Sequence, residues 1–238
     1  SDLSSDPSVE PSESEKELTL IEEMEQALFE QLDPMPELNT GDKIGVLITS
    51  LVNPFWSNMK DKYELAGEEL GIEIEVFAIS KADSTTEQLD ILDNMITQDF
   101  KAIIFSPMDG NNLIPGIVRA NEAGVPMINL GPGVNMEALE AAGGKLDARI
   151  TVNFEQQGQM AVADMVGKLE SGSKVAIIAG KPGAAQSEGR IKGAEESFKA
   201  AGMEVVNILP GNWDRNTAYQ LVTDLIQTEP DLKAIFAA

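Results

Sequence analysis

Apolar residues from position 43 onward fall into short runs that alternate with amphipathic stretches. Val, Ile, Leu and Ala fill the runs, and near-continuous apolar segments are typical of strands buried on both faces of a parallel sheet. Between them, apolar residues recur at helical spacing, Gly71 and Gly124 stand where helices end, and Ser84-Thr-Thr-Glu87 is typical of a capping box. The first series predicts strands at 44–49, 72–78, 102–106 and 126–130, and helices at 56–70, 85–97 and 111–123.

A second series of the same kind follows a glycine-rich connection over residues 131–145. It predicts strands at 149–152, 174–179, 204–209 and 232–237, and helices at 155–169, 188–200 and 217–228. Strands and helices that alternate in this way, joined by right-handed crossovers, predict doubly wound parallel sheets. The two series therefore predict an α/β fold with two Rossmann-like lobes, an N-terminal lobe over 41–147 and a C-terminal lobe over 148–238.

The first 40 residues differ from the rest in pattern and charge. Residues 1–15 are mostly Ser, Asp, Glu and Pro, which cannot bury enough apolar surface to fold, so we expect a disordered acidic tail there. Over residues 16–40 we expect an amphipathic helix and a linker, because apolar residues recur at helical spacing from Leu18 to Leu32. Such a stripe usually packs on its own domain, and docking to a partner is the alternative.

Charge and composition argue against several functions. The chain holds 17 Lys and Arg residues against 40 Asp and Glu residues, so nucleic acid is not an expected partner, because phosphate contacts depend on basic side chains. It has no Cys and no His, which removes thiol catalysis, the commonest general base and the commonest nitrogen metal ligand. No apolar run is long enough to cross a bilayer, so we expect no membrane insertion of this segment.

Three glycine-rich segments, at residues 110–116, 131–133 and 180–183, lack the spacing of nucleotide-binding loops and are typical of tight turns between strands and helices. The acidic residues show no calcium-loop spacing, and a zinc site is not expected without Cys or His. We therefore predict no cofactor, no metal and no catalytic residue. An enzyme on a doubly wound fold stays open as the alternative from another class, since a fold does not decide function.

The few aromatic residues are more informative, because both Trp residues follow predicted strands. Trp56 comes after the first strand, and Trp213 comes after the strand that ends at residue 209. Ligands of open α/β sheets bind at the carboxyl ends of the strands, so these positions favour a ligand platform over the core. Asn53 either offers a donor and an acceptor to a pair of hydroxyls or simply starts a turn. This set suits a flat, hydroxylated small molecule.

Several segments, in order along the chain, carry a family resemblance. They are Ile44-Gly-Val-Leu-Ile48 with Asn53-Pro-Phe-Trp56, Ala102-Ile-Ile-Phe-Ser-Pro107, Ala123-Gly-Val-Pro-Met-Ile-Asn129, Arg190-Ile-Lys-Gly193, Trp213-Asp-Arg215 and Ala234-Ile-Phe-Ala237. Through them residues 43–238 resemble the periplasmic sugar-binding proteins of the ribose/galactose type, which serve ATP-driven importers. The resemblance implies the type I periplasmic binding protein fold, in which two lobes joined by hinge strands close on a ligand.

The resemblance also implies roles for the aromatic residues. Phe55 and Trp56 would stack on one side of a sugar ring and Trp213 on the other, and Asn53 would hydrogen-bond a hydroxyl.

Two positions depart from the family pattern. Gly131 stands where the family usually has Asp, and Glu188 stands where Arg is frequent. Because unmet hydrogen bonds in a buried site are costly, we expect weak binding of ribose, glucose and galactose compared with a less common sugar or polyol.

The resemblance implies an extracytoplasmic protein that captures a sugar or sugar-like polyol and delivers it to the membrane permease of an ABC importer. It implies export by a signal peptide to the periplasm or the outer face of the membrane, and it allows a lipid anchor upstream of Ser1. The alternative among binding proteins is the ligand-sensing ectodomain of a signalling receptor. Family members continue past the position of Ala238, so we expect the end of the family fold to be missing there.

Overall fold

The computed structural model describes residues 19–31, 33, 41–80 and 84–238. The predicted acidic tail lies outside the described residues, as does the linker over 34–40. The chain divides into two units, Ser1–Leu38 and Asn39–Ala238. In the smaller unit the predicted helix is present as α1, Leu20–Gln31.

A capping box begins α1. The backbone N–H of Glu22 donates to the Thr19 hydroxyl, and the Glu22 carboxylate accepts from the Thr19 backbone N–H at 2.7 Å. The backbone N–H and the hydroxyl of Thr19 together lower the pKa of Glu22. Whether the apolar stripe of this helix packs on its own domain or docks to a partner stays a prediction.

The larger unit alternates strands and helices throughout. Its strands are β1 Lys43–Ile48, β2 Glu73–Ala78, β3 Ala102–Phe105, β4 Met127–Gly131, β5 Ala148–Thr151, β6 Lys174–Ala179, β7 Glu204–Pro210 and β8 Leu232–Ala237. Its helices are α2 Pro54–Leu70, α3 Thr85–Ile96, α4 Ile114–Glu122, α5 Met136–Ala141, α6 Phe154–Val166, α7 Ala185–Ala200 and α8 Arg215–Thr228.

The strands form two parallel sheets, as the sequence predicts. One has the order β2-β1-β3-β4-β5 and the other the order β7-β6-β8. In both sheets a central strand is flanked by strands that come later in the chain, which is the doubly wound arrangement. We call the part that carries the five-stranded sheet the first lobe and the part that carries the three-stranded sheet the second lobe.

Strand β5 belongs to a different sheet from the one the sequence suggested. Residues 149–152 were expected to open the second series, but β5 pairs with β4, with Leu130 opposite Ile150. A strand takes its sheet from its hydrogen-bonding neighbour, and neither its length nor its apolar content reports that neighbour. The lobe boundary at 147/148 stays a prediction, and this pairing argues for placing it after Thr151.

The glycine-rich connection over residues 131–145 is not a plain loop, because it contains α5. Asn135 caps this helix, and its side chain accepts from the backbone N–H of Ala138 at 3.2 Å. The segment that follows, Met136-Glu-Ala-Leu-Glu-Ala141, consists of strong helix formers. Because glycines flank this segment, the sequence pattern indicated a connection and not a helix.

Both faces of the first sheet are buried. Leu47 packs into one cluster with Ile103, Phe105 and Met127, and its neighbours Val46 and Ile48 pack into another cluster on the opposite face. This alternation follows from the twofold period of a strand. In the second lobe, Val175 and Ile177 of β6 pack with Val162, Ala194 and Phe198 from the helix pair α6 and α7. These cores hold the strand ends in place.

Candidate functional site

The loops at the carboxyl ends of both sheets line one cavity of about 820 Å³. Its wall comes from the residues after β1, the start of α3, the residues after β3, the β6–α7 loop and the β7–α8 loop. They are Thr49, Ser50, Val52, Asn53, Trp56, Thr85, Met108, Asp109, Lys181, Pro182, Gly183, Ala184, Gln186, Asn212, Trp213 and Asp214. Strand-end loops are where α/β sheets bind ligands, and the volume suits a small molecule.

Trp56 is part of both the core and the cavity wall. Only 8% of its surface is exposed, and it packs with Val46 and Ile48 behind the wall. Its neighbour Phe55 is 61% exposed and meets the indole edge to face at 5.0 Å between ring centroids. Phe55 does not line this cavity. The sequence therefore placed Trp56 at the cavity, and the stacking role of Phe55 stays a prediction.

Trp213 lies in the wall that the second lobe contributes. Its indole covers Gly180, where any Cβ atom would collide with the ring. The indole Nε1–H donates to the backbone carbonyl of Ala238 at 2.9 Å. Asn212 and Trp213 have φ angles of 56° and 55°, in the left-handed region that is uncommon for residues other than glycine. The loop thus holds the ring in one orientation over the end of β6.

Asn53 starts a helix, which is one of the two roles that the sequence left open, and its hydrogen bonding to a ligand stays a prediction. It caps α2, because its Oδ1 atom accepts from the backbone N–H of Phe55 at 2.9 Å, and Pro54 occupies the first helical position as expected. It also lines the larger cavity beside Trp56. With Oδ1 engaged in the cap, a ligand would be recognised mainly through the amide donor group.

Gly131 and Glu188 do not line the larger cavity. Gly131 has a φ of 87°, a conformation that strains any residue with a side chain, so an aspartate would not be held easily there. Glu188 lines a smaller cavity of about 390 Å³ together with Arg149, and its Oε1 accepts from the backbone N–H of Gly183 at 3.1 Å. The two positions that depart from the family pattern therefore have local structural tasks.

Gln88, a fully buried residue of α3, shapes the first-lobe side of the cavity and was missed by the sequence reasoning. Its Nε2 donates to the backbone carbonyl of Ser106 at 2.9 Å. Its Oε1 accepts from the backbone N–H of Met108 at 3.1 Å and from Asn112 Nδ2 at 2.7 Å. One amide thus fixes the loop that carries Met108 and Asp109 into the cavity wall. A polar residue at a core position of an amphipathic helix was the available signal.

Other polar residues of the cavity wall were also missed, among them Asp109, Lys181, Gln186 and Asp214. Asp109 accepts from the backbone N–H of Asn111 at 2.7 Å. Asp214 caps α8. Hydrogen bonds from Thr217 lower the pKa of Asp214, and the one from the backbone N–H has a larger effect than the one from the hydroxyl. Each residue follows a predicted strand, so the strand-end argument applied to Trp213 would have found them.

The described residues hold neither a metal-binding cluster nor a membrane span. Within ranges 19–31, 41–80 and 84–238, no cluster of three or more metal-binding side chains is present. In the same part of the chain, no helix combines the length and apolar character that a membrane span needs.

Comparison with known proteins identifies the family. The periplasmic binding protein domain model matches residues 44–238, so the chain belongs to this family and the resemblance seen in the sequence is confirmed. The chain is 34% identical over 195 residues to the D-allose-binding periplasmic protein of Escherichia coli, covering 81% of this chain and 63% of that protein. It is 28% identical over 203 residues to the ribose import binding protein of Bacillus subtilis, covering 84% and 63%.

A solved structure agrees with this assignment. A periplasmic solute-binding protein of an ABC transporter from Actinobacillus succinogenes, with bound D-allose, superposes with a TM-score of 0.76 at 27% identity, covering 82% of this chain and 68% of that one. The two-lobed fold class is thereby confirmed. The chain spans a little under two thirds of the length of the curated relatives it matches.

Proposed function

We propose that this chain belongs to a sugar-binding protein that captures its ligand reversibly between two lobes. The observation that carries the proposal is the cavity of about 820 Å³ at the carboxyl ends of both sheets, with Trp56 on the first-lobe side and Trp213 on the second-lobe side. Aromatic faces stack on the apolar faces of sugar rings, and the polar residues of the wall hydrogen-bond the hydroxyls. Asn53 serves as a donor in this site.

D-Allose is the first ligand to test. It is the sugar named for a relative at 34% identity and the sugar bound in the related structure at 27% identity. Ribose is the second, since it is named for a relative at 28% identity. Gly131 and Glu188 lie outside the larger cavity, so weak binding of ribose, glucose and galactose stays a prediction, which titration with ribose tests directly.

The partner and location follow from the family. The protein delivers its sugar to the permease of an ABC importer on the periplasmic or outer side of the membrane. Support comes from two relatives, a D-allose-binding periplasmic protein and a ribose import binding protein, and from the related solute-binding protein of an ABC transporter. It performs no covalent chemistry, so Trp213, Trp56 and Asn53 act as binding residues. A lipid anchor upstream of Ser1 is a further proposal, to be tested by mass spectrometry of the native protein.

Calorimetric titration of the protein with D-allose and ribose tests the binding function. We expect saturable binding of at least one sugar with a change in indole fluorescence. Trp213→Ala should weaken that binding by about fivefold or more, because one stacking face is worth on the order of 1 kcal/mol. Tyr219→Ala is the matched control, since Tyr219 is a 73% exposed aromatic residue of the same lobe, away from the cavity wall. Unchanged affinity in Trp213→Ala would refute the platform role.

A further inference from the structure

One positive and one negative side chain line the smaller cavity, and they come from different lobes. Arg149 belongs to β5 of the first lobe and Glu188 to α7 of the second lobe, and both line this cavity of about 390 Å³. Both residues are exposed. Neither has an ion pair among the residues that the structure describes. Opposite charges that share one small cavity attract each other without yet being paired.

The ends of both side chains lie at glycines of the cavity wall. A Cβ atom at Gly133 would lie 2.5 Å from Arg149 Nη2, so the guanidinium rests on the loop after β4, in space that a side chain at Gly133 would fill. Glu188 Oε1 accepts from the backbone N–H of Gly183 at 3.1 Å, which holds the carboxylate on the β6–α7 loop. Both glycines line the smaller cavity. The two charged groups are therefore placed at this cavity.

No other charge competes for the pair within the wall as the structure describes it, since Arg149 and Glu188 are the charged residues there. Arg190 follows Glu188 by two residues, but it has its own partners. Its Nε donates to Gln157 Oε1 at 3.1 Å, and its guanidinium lies 5.3 Å from the centre of the Phe154 ring. Each of the two charges is thus the opposite charge that the cavity offers to the other.

The chain passes from the first lobe to the second beside this cavity. Thr151 ends β5, Phe154 begins α6, and both line the wall together with Val152. When two lobes rotate about such a crossing, groups near it move a short distance and groups at the far rim move further. A small rotation that narrows the cavity therefore brings the two charges together, because the long side chain of Arg149 spans the rest of the gap.

We infer that Arg149 and Glu188 form an ion pair between the lobes when these close on a sugar, and that the pair stabilises the sugar-bound form. This inference rests on the proposed sugar-binding function and adds to it two residues that hold the closed state. They act through lobe closure and not through contact with the sugar, so they are positioning residues. An interaction made only in the closed form favours that form, and a ligand that binds the closed form then binds more tightly.

A double-mutant cycle tests the pair by calorimetry with D-allose, or with ribose if only ribose binds. Arg149→Met removes the positive charge, and Glu188→Gln removes the negative charge but keeps an acceptor for the Gly183 N–H. Each change should weaken sugar binding by about fivefold at low salt, as expected for a partly enclosed ion pair. The double variant should bind no more weakly than either single variant, because the first change has already broken the pair.

Charge reversal and salt supply readouts that a merely structural role would not move. Arg149→Glu and Glu188→Arg should each weaken binding, because they place like charges across the cavity, and the two combined should bind about tenfold more tightly than either alone. Added salt should reduce the effect of Arg149→Met, because it screens the pair. Glu196→Gln is the matched control at an exposed position of the same helix, and it should change the affinity by less than about twofold.

The outcomes separate this inference from the proposed function. If the unaltered protein binds neither sugar, both fail together. If it binds sugar but the losses of the two single variants multiply in the double variant, or the reversed pair binds no better than the single reversals, only the inference is overturned. A loss in Arg149→Met without one in Glu188→Gln would also overturn it, since Arg149 would then contact the ligand directly.

Discussion

The two lobes build their sides of the cavity in different ways. In the first lobe, buried side-chain amides tie the strand-end loops to the sheet. Gln88 binds the loop after β3, which lines the larger cavity. Asn129 binds the loop after β4, which lines the smaller cavity, by donating to the carbonyl of Pro132 at 2.8 Å. In the second lobe the corresponding loops rest on close backbone packing, with Trp213 covering Gly180 and two residues in left-handed conformation. Hydrogen bonds of buried amides hold the loops of the first lobe, and close packing of side chains on the backbone holds those of the second lobe.

This difference decides how each side responds to change. A buried amide with several partners leaves donors and acceptors unmet when it is removed, and each unmet group costs free energy. A wall made by close packing tolerates polar changes nearby but not added volume at the contact. The largest effect on stability is therefore expected from the first lobe, and the most localised effect on the cavity from the second.

Replacement of Gln88 by Leu should have the largest effect. The change leaves the Ser106 carbonyl and the Met108 N–H unmet inside the protein, so we expect the free energy of unfolding to fall by about 3 kcal/mol. Urea denaturation measures this loss. Gln98→Leu is the matched control, since Gln98 is exposed just beyond α3, and a change within about 0.5 kcal/mol is expected there. Equal losses in the two variants would show that the Gln88 network does not hold the loop.

Much of the fold was predictable because it follows from local patterns. The apolar runs and the glycines between them located the eight strands of the described residues to within a residue or two. The cap at Ser84 was confirmed by its hydrogen bond from the Glu87 N–H at 3.1 Å. The sheet that β5 joins was not predictable, since pairing depends on a neighbour distant in sequence.

In the candidate site, too, residues marked by a local sequence pattern were predicted, and residues that depend on distant contacts were not. Trp56, Trp213 and Asn53 were found because an aromatic or amide group after a strand is visible in the sequence. Gln88 was missed because its value comes from partners as far as 40 residues away along the chain. A one-dimensional pattern marks positions next to strand ends, and it does not reveal side chains that reach those ends from a packed helix.

Adding one methyl group at Gly180 tests the packed side. Gly180→Ala places a Cβ atom in collision with the Trp213 indole, so we expect a loss of about 2 kcal/mol in the free energy of unfolding and altered indole fluorescence. The same change in a Trp213→Leu background should cost much less, because the obstructing ring is gone. Gly167→Ala provides the control, since its Cβ would lie 3.8 Å from the nearest atom, the carbonyl oxygen of Asp164. An equal cost in both backgrounds would contradict the contact.

The smallest effect is expected at Tyr63, whose hydroxyl is one of the buried polar groups that the first lobe leaves unmet. The Tyr63 hydroxyl is buried with no hydrogen-bond partner among the described residues, in the cluster behind Trp56. Tyr63→Phe removes that group, so we expect the free energy of unfolding to rise by about 0.5–1 kcal/mol at pH 7. Tyr219→Phe, at an exposed position, should change it by less than about 0.5 kcal/mol.

The pH dependence of stability gives Tyr63 a second measurement. Burial raises the pKa of Tyr63 to about 12, whereas an unfolded phenol ionises near pH 10. The folded state therefore keeps the proton that the unfolded state loses, and the free energy of unfolding should fall as the pH rises from about 10 towards about 12. Because the chain has two tyrosines, a Tyr219→Phe variant isolates the phenolate absorbance of Tyr63. Two results would contradict this account: ionisation of that phenol near pH 10 in the folded protein, or a loss of stability in Tyr63→Phe. Either would mean that the Tyr63 hydroxyl has a hydrogen-bond partner in the folded protein.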